Sequence, residues 1–125
     1  MKPINQDWVP STIAEAVDAF FDCLEDGDKR YIMRNSDFVA ATHHTIGQAL
    51  RNTWSLWEHD TPLKRDFVAQ TGLWGQGDDV SGYIITKVVR RVRGESEDCT
   101  ELIEDWKEHW ADQGIDFTTG EALDV

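Results

Sequence analysis

His43 and His44, His59 followed by Asp60, and Asp79 are the residues of this 125-residue chain whose types would suit a metal centre. Neutral imidazoles and carboxylates hold divalent ions, and an ion so held turns bound water into a nucleophile near neutral pH. In that chemistry His44, His59, Asp60 and Asp79 would be the ligands of a small metal-dependent hydrolase. The spacing argues the other way. The step from His44 to His59 is short, and His59-Asp60 falls where a helix is ending. Solvent-facing histidines and a helix-capping aspartate are the preferred reading.

Thiol chemistry is the second candidate. Cys23 and Cys99 each fall on the apolar side of an expected helix, among carboxylates that disfavour the thiolate. They read as buried thiols in a reducing cytoplasm, not as a disulfide frame. Phosphate chemistry has less support still. The glycine-rich run at 72–77, GLWGQG, follows a helix and lacks a lysine. Arg51, set between Leu50 and Asn52 and close to Trp54, is expected to be half-buried. A guanidinium in that position needs a carboxylate, and Asp78-Asp79 is the natural partner. The preferred reading is a structural polar pair; the alternative is an anion-binding arginine at the heart of a ligand-binding regulatory module.

These residues have to be positioned by helices. The stretch from His43 to Trp57 places Ile46, Leu50, Trp54 and Trp57 on one face of a 3.6-residue repeat. It predicts a central helix from about Asp37 to Glu58, capped by Ser36, with Gly47 inside it where another backbone comes close, an ordinary surface glycine being the alternative. Before it, Thr12 and Glu15 form a capping-box pattern for a first helix with Ile13, Val17, Phe20 and Leu24 inward, ending at Gly27. A short helical turn over Lys29–Arg34 follows. Beyond the central helix, Thr61-Pro62 starts another that stops at Gly72. Asp78 or Asp79 caps the next, which places Val80, Ile84, Val88 and Val92 inward and ends at Gly94. Residues 83–89 have strand propensity, but the spacing favours helix. Glu95–Asp98 opens the last helix, striped by Cys99, Leu102, Ile103, Trp106 and Trp110 and ended by Gly114.

The expected fold is therefore all-α: a single bundle of four or five main helices over residues 11–117, around the central tryptophan-bearing helix. Residues 1–10 form an extended lead-in anchored by Trp8 and Val9, and 118–125 a frayed tail. No apolar run is long enough to span a membrane, and no secretory leader is evident, so a cytoplasmic location is expected.

Two resemblances add to this. The order His43-His44, His59-Asp60, Asp79 is weakly similar to that of all-helical metal phosphohydrolases of the HD superfamily, which would imply the metal site described above. A broader one covers residues 36–94. H-x-x-I-G-x-x-L-R-N-x-W-x-L-W from His43 to Trp57, then Gly72-Leu73-Trp74, then Asp78-Asp79-Val80-Ser81, resembles a small bacterial domain of unknown function. That resemblance implies an α-helical fold and no known chemistry.

Charge supplies the functional expectation. The net charge is −12. Residues 95–125 hold eleven acids and one base, whereas 1–94 hold thirteen acids and eleven bases. Direct binding to a phosphate backbone is disfavoured, because it requires cations to displace counterions. The expected function is a non-enzymatic acidic interaction protein that meets a basic protein surface, such as that of a nucleic-acid-binding protein. Its specific form would be a bacterial or phage-encoded inhibitor imitating nucleic acid. Glu97, Asp98, Glu101, Glu104, Asp105, Glu108 and Asp112 are the expected contact carboxylates, with Trp74 and Trp110 as contact aromatics. Lys87, Arg90, Arg91 and Arg93 lie just before this acidic stretch and offer it an internal counter-charge. No cofactor is expected.

Overall fold

The computed structural model describes residues 1–123, and its regular elements are helices: α1 Ile13–Cys23, α2 Asp26–Arg34, α3 Phe38–Ala41, α4 Ile46–Thr53, α5 Pro62–Thr71, α6 Gly77–Arg93 and α7 Thr100–Asp112. The central position belongs to α6. It packs against α1, α2, α3 and α4, while α5 leans on α1. The reason is legible in its residues: Val80, Tyr83, Ile84, Ile85, Val88 and Val89 are all buried, so α6 is apolar around more than one face. Residues 83–89 are helical, as their spacing predicts.

The helix expected over 37–58 is two helices and a turn. Thr42 bonds its hydroxyl back to the Phe38 carbonyl (2.7 Å), and the Gly47 N–H reaches the Thr42 carbonyl, one residue beyond the helical step. Such threonine back-bonding competes with the backbone ladder. The Thr42–Thr45 stretch, T-H-H-T, therefore separates α3 from α4. At the other end Ser55 takes a positive φ of 55° and turns the chain. That turn buries Leu56 and leaves Trp57 56% exposed, so Trp57 does not share the buried face of Leu50 and Trp54.

Several boundaries follow local chemistry. Thr12 and Thr61 accept the N–H groups of Glu15 and Lys64 as N-caps, and Gly72 and Gly94 close α5 and α6 in the left-handed conformation. Others differ. α1 ends at Cys23, and Gly27 lies inside α2, whose start is fixed by a reciprocal capping box between Glu25 and Asp28. α6 is capped by Gln76, not by Asp78 or Asp79: the Gln76 Oε1 accepts the Asp79 N–H at 3.1 Å. α7 begins at Thr100, not at residues 95–98. There the side chains of Lys87 and Arg90 take the carbonyls of Glu97 and Asp98 and hold the segment across α6.

The lead-in is anchored differently from expectation. Pro10 is buried and Ile4 packs on the core, while Trp8 and Val9 remain largely exposed. The terminal ammonium meets Glu25 (3.1 Å) and Asp28 (2.9 Å). After α7, the chain from Ile115 to Ala122 closes on itself through an antiparallel bridge, and the Leu123 N–H reaches the Gly114 carbonyl (2.8 Å). Thr118–Leu123 is thus paired where fraying was expected; Asp124 and Val125 of that tail lie outside the described residues. None of the described helices is long and apolar enough to cross a membrane.

Candidate functional site

Two adjacent aspartates in the first turn of α6 organise the region where the predicted site residues gather. Asp78 faces Arg51. That arginine is only 2% exposed, and its groups are engaged inside the protein. Nη1 donates to Ser81 Oγ at 2.9 Å, and Nη2 donates to the His43 carbonyl at 3.1 Å and to Gln48 Oε1 at 3.3 Å. Nε lies 3.2 Å from Asp78 Oδ1, near enough for charge attraction although its N–H is not aligned as a hydrogen bond. Gly47 makes room for this network: a Cβ there would come within 2.8 Å of Arg51 Nη1. What crowds Gly47 is thus not another backbone, as expected, but the side chain of the arginine one turn later. On the outer side, Trp57 covers the guanidinium at 5.5 Å and donates its indole N–H to Asn52 Oδ1 at 2.9 Å. Arg51 itself presents almost no surface to solvent.

Asp79 points the other way, towards α7. Its Oδ2 accepts the Trp110 indole N–H at 2.8 Å. Trp110 in turn packs edge-to-face on Trp74, with ring centres 5.3 Å apart. Gly120 lies flat against the Trp74 ring, where a Cβ would come within 2.3 Å. The two candidate contact aromatics therefore pack on each other under the C-terminal turn, and both are half-buried. Burial pushes the Asp79 carboxyl above its ordinary value, the Trp110 hydrogen bond works against that shift, and the negative charge of Asp78 adds to it.

Between α3, α6 and α7 these side chains border an open groove of about 590 Å³. Asp37, His43, His44, Asp78 and Asp79 form its polar wall, and Leu102 and Trp106 its apolar one. Gly82, on the groove floor, lets the Trp106 ring lie close to α6. His43 stacks edge-on against His44 and sits 3.7 Å from Asp78. Leu102 and Trp106, expected on the apolar stripe of the last helix, pack against the core and also line this groove.

The metal reading is not assembled. His44 and Asp79 border this groove, but His59 and Asp60 lie in the turn before α5, where Asp60 pairs with Arg65 at 2.7 Å. Among the described residues no group of three or more histidine, cysteine or carboxylate side chains is placed to hold an ion. The cysteines are both free thiols, and burial raises the pKa of each, which opposes nucleophilic use.

The acidic stretch divides in two. Near its beginning Glu97 is met internally, taking two hydrogen bonds from Arg91 (3.0 and 3.1 Å), whereas Glu101 is largely exposed and has only a loose contact with Arg90 at 3.6 Å. The Asp98 carboxylate accepts from the Thr100 hydroxyl and N–H, which holds its pKa below the usual carboxylate range. Farther along, Asp105, Glu108 and Asp112 are exposed and have no basic partner among the described residues; Glu104 has only a loose contact with Lys107 at 3.5 Å.

Fold and site together define a small all-helical domain with an acidic groove beside its central helix. Residues 9–92 match the family model of a domain of unknown function, DUF6794, and the chain belongs to that family. The match reaches farther towards the N-terminus than the resemblance over 36–94, and it leaves α7 and the C-terminal turn outside. No curated protein and no solved structure matches the chain.

Proposed function

We propose that this is a non-enzymatic acidic interaction protein that binds a basic protein surface through the outer face of α7. The observation that carries this reading is the division of the acidic stretch. Glu97 and Asp98 meet the protein's own cation or hydroxyl, Glu101 and Glu104 have only loose contacts, and Asp105, Glu108 and Asp112 face outward with no basic partner among the described residues. Unpaired surface charge of one sign steers an oppositely charged partner and speeds its encounter.

The narrower form, a bacterial or phage-encoded inhibitor that imitates nucleic acid, is limited by spacing. From Glu101 to Asp112 the helix rises about 16 Å, so its five carboxylates stand about 4 Å apart along the axis. Duplex DNA carries a charge every ~1.7 Å of axis and a single strand one every ~3.4 Å. Imitation on this helix is of a single strand.

The test is an affinity pull-down from host lysate with the native chain and with E104Q/D105N/E108Q/D112N. A basic protein retained by the native chain and lost by the variant, with unfolding temperature unchanged, is the expected result. Equal capture by both would remove the reading.

A further inference from the structure

We propose that the groove between α3, α6 and α7 receives an arginine or lysine side chain from a basic protein segment, with Asp79 as its counter-ion and Trp106 as its aromatic wall. This rests on the proposed function and names the point of contact.

The contrast between the two aspartates points to it. Asp78 is answered by Arg51 and faced by His43. Asp79 borders the same groove, yet no basic side chain lies within ion-pairing distance of it among the described residues, and its one side-chain partner is a neutral indole. Burial raises the pKa of this half-buried carboxylate, and the Trp110 donor and the imidazoles of His109 and His43 offset that only in part, so its charge is under-compensated. The groove supplies what a long cationic side chain requires. Its volume of about 590 Å³ accommodates the aliphatic stem, and Leu102 gives that stem an apolar surface. Trp106 lines the groove and supplies an aromatic surface for the charged head, a pairing that favours guanidinium most. Three carboxylates on the wall, Asp37, Asp78 and Asp79, repel an anionic occupant. Asp105 adjoins Trp106 in α7 and is exposed, so the negative surface continues from the groove to the outer face of the helix.

The probe is a short alternating arginine–glycine peptide titrated into the full chain, followed by calorimetry and by the tryptophan indole N–H signals in NMR. The indole signals of Trp106 and Trp110 should move most. Asp79→Asn keeps an oxygen for the Trp110 N–H but removes the charge, and should weaken binding roughly tenfold. Asp22→Asn, a charge removal at an exposed site on α1 outside the groove, should leave binding nearly unchanged. A glutamate–glycine peptide should not bind. Native affinity retained by Asp79→Asn but lost by E104Q/D105N/E108Q/D112N would overturn the groove and spare the acidic-surface reading. Equal losses from Asp79→Asn and Asp22→Asn would reduce the effect to bulk charge and also overturn it. No binding by the native chain would overturn the groove as well.

Discussion

Asp78 and Asp79 are neighbours in one helical turn, and the protein treats them in opposite ways. Asp78 closes a buried network in which a guanidinium reaches a hydroxyl, a carbonyl and an amide, and a glycine makes room for it. Asp79 has one indole donor and an open groove. The first arrangement ties α4 to α6 through a nearly fully enclosed guanidinium. The second ties α6 to α7, a helix without a fully buried residue, and leaves charge unanswered. The structural use of one carboxylate and the ligand contact proposed for the other are separated by a single peptide step.

Breaking the closed side should cost most. Arg51→Ala leaves the Ser81 hydroxyl and the His43 carbonyl without their donor, takes the cation from Asp78, which keeps only the Gln76 amide and His43, and empties a buried volume; it should destabilise the fold by about 3–5 kcal/mol. Arg51→Met, which refills the volume without charge, should cost less. Gly47→Ala should cost about 1–3 kcal/mol by pushing on Nη1. Its effect should shrink sharply in the Arg51→Met background, because the clash is with the guanidinium. Urea unfolding with a constant m-value measures all of these. Additive costs for Gly47→Ala and Arg51→Met would mean that the glycine serves some other contact.

The two sides differ equally in how far the sequence disclosed them. Arg51 beside an Asp-Asp helix start is a local rule applied twice: a cation among apolar residues needs an acid, and acids collect in first turns. Caps at Thr12 and Thr61 and stops at Gly72 and Gly94 were legible on the same footing, since each depends on its own few residues. The Asp79–Trp110 bond spans 31 positions and has no local signal. The long central helix misled because apolar spacing runs on through Thr42–Thr45, where hydroxyls compete for the backbone. The consequence was a wrong face for Trp57 and the oversight of Leu56, which is buried by a turn and not by a helix face. The groove was out of reach because its walls come from three separated helices, although His44 and Asp79 drew notice for other chemistry.

On the open side the effects should be smaller. Trp110→Phe keeps the ring contact with Trp74 but removes the one hydrogen-bond donor that the Asp79 carboxylate has among the described residues. A hydrogen bond to a partly exposed charge should yield a loss of about 1–2 kcal/mol. The Asp79 pKa should rise further, since the donor that favours its charged form is gone. Carbon-detected NMR titration of the carboxyl reads the second effect directly. A stability loss as large as that of Arg51→Ala would place the main clamp of the fold at α7 instead of at α4.

Asp79→Asn should have the smallest effect on stability, and of the opposite sign. Burial comes first among the causes that raise the Asp79 pKa. Between its ordinary value of 3.8 and the raised folded-state value, the native protein therefore holds more proton than the unfolded chain. Stability contributed by this residue is greatest below that window, falls as pH rises through it and stays lower above it. Asparagine never ionises. The variant should match the native protein at the acid end of the window and unfold at a slightly higher temperature above it, as Trp110 retains an acceptor. Asp28 provides the contrary control. The Glu25 N–H comes first and the terminal ammonium second in lowering its pKa, so its contribution is present above 3.8 and disappears as pH falls through the lower folded-state value. Thermal melts of Asp79→Asn and Asp28→Asn across the carboxylate range should therefore separate from the native curve with opposite signs. A destabilised Asp79→Asn above that range would mean that the Asp79 charge is already compensated inside the protein, and the asymmetry between the two aspartates would be lost.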